Sequence, residues 1–172
     1  LLGILSVFLI YLLGKEIFKN ETASLVSAFI FSIDGLNFVQ SRTGMNDIYF
    51  LTFALASLLF FLRKKYLLSF MMLGLSFASK WAAIYLFGIY IVLMIKNYQF
   101  TRIIQCLCIV FLLYIFTYTP YFLLGYSGDQ FIELQKQMWW YHTNLKATHD
   151  YTSAWWSWPL NLYPVWYFVD YK

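Results

Sequence analysis

Six apolar runs, at about 1–13, 22–39, 48–62, 66–79, 81–95 and 103–119, follow one another with only short polar turns between them. No other feature constrains the fold as strongly. A soluble domain is roughly 45–50% apolar and 25% charged, whereas this chain is 62% hydrophobic and 12% charged. Disordered chains and nucleic-acid-binding domains need charge and little apolar bulk, so both classes are excluded. The expected fold is an all-α integral membrane protein, a polytopic helix bundle in a lipid bilayer. Several runs fall short of the ~20 residues that an isolated span needs; flanking aromatics and snorkelling Lys or Arg extend them.

The basic residues predict an orientation. Lys15 and Lys19 follow the first run, Arg63, Lys64 and Lys65 the third, and Lys96 and Arg102 the fifth. The opposite turns hold only Arg42 and Lys80 before the long polar segment. Cytoplasmic loops carry the excess of Lys and Arg. Gln40 to Asp47, Lys80-Trp81 and the segment 120–163 are therefore expected together on the outer face. The expected organisation is a helix bundle over 1–119, an aromatic-rich external loop or interfacial helix over 120–163, and the start of a further span over 164–172. The chain begins at Leu1 inside an apolar run and shows no signal-peptide pattern. It reads as a fragment whose first span is truncated. Cys106 and Cys108 are two apart and point to different faces of a helix, so neither a disulfide nor a metal site is expected.

Candidate chemistry collects on the outer side. Arg42 and Asp47 flank the turn between the second and third runs. A planar guanidinium suits a phosphate; an ion pair at the interface explains the same two residues. Lys80 stands against the charge bias beside Trp81, as a partner for an anion or as a snorkelling end of a helix hairpin. Asp34 is a third candidate, or a cap before Gly35. His142 and His149 are seven apart, one helix face, near Asp150; the spacing is not a specific zinc signature. Trp155, Trp156 and Trp158 suit a membrane anchor or a stacking surface for a sugar ring. Walker A, Gly-x-Gly-x-x-Gly, His-Glu-x-x-His and Gly-x-Ser-x-Gly motifs are absent.

Gln40-Ser41-Arg42 followed by Asp47 at a helix start resembles the outer turn of protein O-mannosyltransferases. Phe77-Ala78-Ser79-Lys80-Trp81 resembles their Ala-Thr-Lys-Trp element. The stretch from Tyr141 through His149 to Trp155-Trp156-Ser157-Trp158-Pro159-Leu160, with Pro164-Val165-Trp166-Tyr167, is similar to the external loop of the prokaryotic members. The resemblance implies a GT-C-type membrane enzyme of a prokaryotic plasma membrane. Such enzymes move mannose, or a similar hexose, from a polyprenyl-phosphate donor to Ser or Thr hydroxyls of secreted or membrane proteins, with inversion at the sugar carbon. It implies Arg42 and Lys80 for the lipid phosphate and Asp47 as an accessory carboxylate orienting Arg42 or the acceptor. Trp81, His142, Asn144, His149, Trp155, Trp156 and Trp158 are implied for the sugar or acceptor pocket. The family's acidic pair sits in a first external loop, which is expected to lie upstream of Leu1, so the fragment alone is expected to be inactive. No cofactor is assigned; a divalent metal belongs to the complete enzyme if anywhere. Alternatives are a polyprenyl-phosphate-dependent transferase acting on lipid A or a glycan, and a transporter or flippase. The second would need ionisable groups and broken helices at mid-membrane.

Overall fold

Turn chemistry divides the apolar runs into helices, shown by a computed structural model that describes residues 1–144, 156, 157 and 162. The first helices are α1 (Leu2–Phe18), α2 (Glu21–Ser32), α3 (Gly35–Thr43), α4 (Asn46–Leu62) and α5 (Tyr66–Ser79). A 3₁₀ turn (Trp81–Ala83) then leads into α6 (Ile84–Lys96), α7 (Phe100–Thr117) and α8 (Thr119–Leu123), and α9 (Gly128–Asn144) follows. Two compact units result, Leu1–Leu123 and Leu124–Lys172.

In the first unit, α4 packs against α5 and α1, α1 against α2, and α5 against α7. Phe70, Leu73, Ala83, Tyr90, Met94, Cys106 and Val110 form one buried cluster; Leu9, Leu13, Ala56 and Leu59 form another. Small and polar residues line the helix crossings. Ser57 donates to the Ser69 carbonyl and Ser69 to that of Ser57, each at 2.9 Å, and the Tyr90 hydroxyl lies 3.0 Å from Ser57 Oγ. Ser76 donates to the Phe50 carbonyl at 3.0 Å. Buried serines satisfied in this way, with glycines at close approaches, are how helices pack where lipid supplies no hydrophobic drive between them.

Outward, the chain is greasy. On α7 the stripe Cys106, Val110, Tyr114 is buried, while Ile104, Leu107, Phe111, Leu112 and Phe116 are exposed. Cys106 is buried and Cys108 exposed, on different helix faces as their spacing predicts. Among the described residues one helix, Phe100–Thr117, is by itself long and apolar enough to cross a membrane, with mean hydropathy 2.0. The apolar stretches Asn46–Leu62, Tyr66–Ser79 and Trp81–Lys96 are shorter.

One run departs from expectation. Residues 22–39 read as a single span, yet α2 and α3 meet at a bend of 59°. Asp34 causes the break: its carboxylate accepts from the Asn37 backbone N–H at 2.7 Å, so it caps α3 instead of continuing α2. Asp34 is thus the capping residue that its place before Gly35 suggested.

The charged turns at one end of this unit are tied together. Arg63 of the α4–α5 turn donates to Glu16 at 2.5 Å, Lys19 bonds the same carboxylate at 3.2 Å, and the Arg102 guanidinium lies 5.0 Å from the Tyr66 ring centre. Tyr11 and Lys15 both bond Glu21. Arg63 and Lys19 hold the Glu16 carboxyl, beyond the apolar run 1–13, below its ordinary range.

Two predictions follow from this packing. A Cβ on Gly14 would stand 2.9 Å from Ser24 Cα, a backbone atom that cannot yield, so Gly14→Leu should lower stability in detergent by about 1–3 kcal/mol; an unchanged thermal midpoint would mean that α1 and α2 do not pack so closely. A depressed folded pKa makes the Glu16 contribution present above the unfolded value of about 4.3 and lost as pH falls through the folded value. Melting between pH 7 and 3 should therefore show a smaller acid-induced drop in Glu16→Gln than in the parent.

Candidate functional site

The α4–α5 hairpin decides which side chains meet at the end opposite the basic turns. Its helices run antiparallel, so the first turn of α4, with Asp47, lies beside the last residue of α5 and Lys80. Lys80 Nζ reaches Asp47 Oδ1 at 2.5 Å, with the two side chains 49% and 33% exposed. Lys80 has extended backbone, φ −157° and ψ 131°, which stops α5 and turns the chain into the Trp81–Ala83 turn. Asp47 also sits in the first turn of α4, where a carboxylate favours the helix dipole.

Arg42 belongs to the same end but to a different element. It lies in the last turn of α3, just before Gly44, whose φ of 66° ends the helix. Its guanidinium carbon is 5.2 Å from the Phe38 ring centre. Among the described residues no carboxylate pairs with it. Asp47 is thus paired with Lys80, and among the described residues no ion pair joins Asp47 to Arg42. The distinction is geometric: α3 is held against α1, where a Cβ on Gly3 would lie 2.6 Å from Ser41 Cβ. Asp47 instead faces the neighbour that α4 shares a hairpin with.

Arg42 lines a cleft of about 750 Å³ between α1, α2 and α3. The walls are mostly apolar, with Val7, Phe8, Leu25, Ala28 and Phe38; Asn37, Ser41 and Arg42 contribute polar groups. An apolar trough with a cation on its lining has the chemistry to hold an amphiphile bearing one anionic group.

Trp81 is half-buried and donates from Nε1 to the Tyr114 hydroxyl at 3.0 Å, and the Tyr114 and Tyr118 hydroxyls are 3.2 Å apart. Phe77 meets Tyr114 edge-on, at 5.3 Å between ring centres. No sequence motif marks Tyr114; its signal is the buried i, i+4, i+8 stripe Cys106, Val110, Tyr114 on α7, which ends at the level of Trp81.

In the second unit, Ser127 and Gln130 form a reciprocal cap at the start of α9, with N–H groups bonded at 2.8 and 3.3 Å. The helix carries no buried residue and exposes Ile132, Trp139, Trp140 and Tyr141. His142 and Asn144 lie in its last turn. The His142 ring meets Tyr141 edge-on at 5.6 Å, and the Asn144 amide donates to the Trp140 carbonyl at 3.1 Å. Trp156 is 57% exposed. His149, Trp155 and Trp158, like Asp150 and the run expected from Pro164, lie outside the described residues. No group of three His, Cys, Asp or Glu suited to a metal occurs among the described residues.

Residues 1–121 match the family model described as dolichyl-phosphate-mannose-protein mannosyltransferase. No curated protein and no solved structure matches the chain.

The Lys80–Asp47 pair is partly exposed, and pairs of that kind contribute roughly 0–1 kcal/mol. A double-mutant cycle with Lys80→Met and Asp47→Asn should give a stability coupling within that range. A coupling of several kcal/mol would make the pair a structural clasp instead of a positioned charge.

Proposed function

We propose that this chain, which belongs to the dolichyl-phosphate-mannose-protein mannosyltransferase family, moves mannose or a similar hexose from a polyprenyl-phosphate donor to Ser or Thr hydroxyls. Family membership makes it a membrane glycosyltransferase that works with a lipid-linked sugar donor and a protein acceptor. The finer reading adds a multi-pass arrangement in a prokaryotic plasma membrane, with Arg42, Lys80 and Trp81 on the outer side. The alternation of basic and nearly charge-free turns supports that orientation.

The observation that carries the reading is the apolar cleft with Arg42 on its lining, a cation that no carboxylate pairs with among the described residues. Part of the donor's isoprenoid chain lies along Val7, Phe8 and Leu25, and the Arg42 fork takes the phosphate. As the acceptor oxygen attacks the sugar carbon from the opposite side, the bond from that carbon to the phosphate oxygen breaks. The electron pair and charge go to the phosphate. A cation already in place stabilises that charge without reorganisation. Lys80, held by Asp47, supplies the second cation.

The acceptor hydroxyl must lose its proton to a base. The resemblance gives that role to the family's acidic pair and leaves Asp47, paired with Lys80, as an accessory, positioning carboxylate. Trp81, His142, Asn144 and Trp156, with His149, Trp155 and Trp158, contribute hydroxyl hydrogen bonds and ring faces for the sugar or the acceptor.

The test uses the full-length protein in membranes, radiolabelled polyprenyl-phosphate-mannose and a Ser/Thr-rich peptide. Alkali-labile label on the peptide is expected. Loss of a charged hydrogen-bonding group costs about 1.5–3 kcal/mol, so Arg42→Ala should cut transfer about 10- to 100-fold with membrane insertion intact. Trp156→Ala should also reduce it. Normal transfer in both variants removes the site assignment. Label on a lipid or glycan, but not on peptide, moves the acceptor to lipid A or a glycan.

A further inference from the structure

The end of the first unit away from Arg42 and Lys80 carries a charge excess that its own contacts do not absorb. Lys15, Lys19, Arg63, Lys64, Lys65, Lys96 and Arg102 share it with two carboxylates, Glu16 and Glu21. The three turns lie together, since Glu16 links the first to Arg63 and Arg102 reaches over Tyr66. Glu16 is taken by Arg63 and Lys19, and Glu21 by Lys15 and Tyr11. Lys64, Lys65 and Lys96 are exposed and enter no ion pair among the described residues.

A second, independent feature concerns the backbone. Two of these turns close with the same helix-ending pattern: the Lys65 N–H bonds the Phe60 carbonyl and the Gln99 N–H bonds that of Met94, each at 2.8 Å. That motif places one residue in the left-handed region, where glycine is usual because it has no Cβ to clash. Here those positions are Lys64, φ 59°, and Tyr98, φ 56°, and the first turn has Lys19 at φ 52°. At the other end the equivalent position after α3 is Gly44. At the basic end the three positions that favour glycine carry two cations and one exposed aromatic instead, a backbone cost of the kind that clusters at functional surfaces. Tyr98 is 83% exposed, the amphipathic ring that sits at headgroup level.

We infer that this end of the unit is a docking surface for anionic phospholipid headgroups, with Lys64, Lys65 and Lys96 contacting their phosphodiesters and Tyr98 lying among them. The inference rests on the membrane placement of the family and is independent of which sugar or acceptor the enzyme uses. Each cation near an anionic leaflet is worth about 1 kcal/mol, or about five-fold in affinity.

The test is native mass spectrometry of the full-length protein in zwitterionic detergent with equimolar phosphatidylglycerol and phosphatidylcholine. The parent should retain phosphatidylglycerol at least about five-fold over phosphatidylcholine, with the preference shrinking as salt rises. Lys64→Gln/Lys65→Gln/Lys96→Gln should bring it down to the phosphatidylcholine level, while the corresponding triple Arg variant keeps it. Lys64→Gly separates lipid binding from fold: relief of backbone strain should raise the thermal midpoint in lipid-free detergent while phosphatidylglycerol retention falls. Equal retention of the two lipids by the parent, or parental phosphatidylglycerol retention in the triple Gln variant, overturns the inference.

Discussion

The seam between α4 and α5 is the contact on which the rest of the first unit depends. Ser69 and Ser76 lie seven apart on α5 and donate to the carbonyls of Ser57 and Phe50, which lie seven apart on α4 in the opposite direction. Two serine-to-backbone bonds, two helical turns apart, fix the antiparallel register, because a slip of one residue would break both and leave buried hydroxyls unsatisfied. Four residues beyond Ser76, and three before Phe50, the same face brings Lys80 to Asp47. The serines thus set the ion pair. Interhelical hydrogen bonds of this kind are worth about 0.6 kcal/mol each on average in membrane proteins. Their value here is specificity of register more than stability.

The same hairpin separates two kinds of electrostatics. At the Arg63 end, each of the two carboxylates is shared by more than one donor, and the surplus cations face outward. At the Lys80 end one carboxylate pairs with one cation, another caps a helix, and Arg42 lines an apolar cleft with no ion pair among the described residues. A paired point charge and a planar fork are different tools. The first stabilises charge that develops at a set place. The second recognises an anion that arrives, through paired parallel hydrogen bonds. In the proposed reaction Asp47 would contribute by holding the Lys80 charge in one place.

Much of this was legible in the sequence. The alternation of basic turns anticipated that Lys15, Arg63 and Arg102 lie at one end of the bundle and Asp47 and Lys80 at the other. The two-residue spacing of Cys106 and Cys108 predicted their opposite burial, and Asp34 before Gly35 carried the capping signal. The 59° bend was not predicted, because hydropathy continues through Ile33 and Leu36 while a single carboxylate ends the helix. The choice between Arg42 and Lys80 as partner of Asp47 was also hidden. Sequence proximity favours Arg42, five residues away, but the register of two packed helices favours Lys80, thirty-three away. Trp81's partner Tyr114 lies equally far along the chain, and its register is set by a third helix.

The bend at Asp34 also explains why Arg42 can serve the cleft at all. Had α2 continued straight, Phe38 and Arg42 would extend away from α1, and the cleft would lose one wall and its cation together. The cap at Asp34 turns the chain; Gly3, which leaves room for Ser41, lets α3 lie against α1. A carboxylate and a glycine, neither touching an anion themselves, thereby place a guanidinium at the lining of an apolar trough. Breaking an apolar run forfeits the continuous hydrogen bonding of a straight span, and in lipid that is tolerated where the freed backbone finds other partners or lines a cavity. Here it does both: the Asp34 carboxylate takes the Asn37 N–H, and the broken segment forms the cleft wall. The break thus builds the wall of the cleft that the proposed reaction uses.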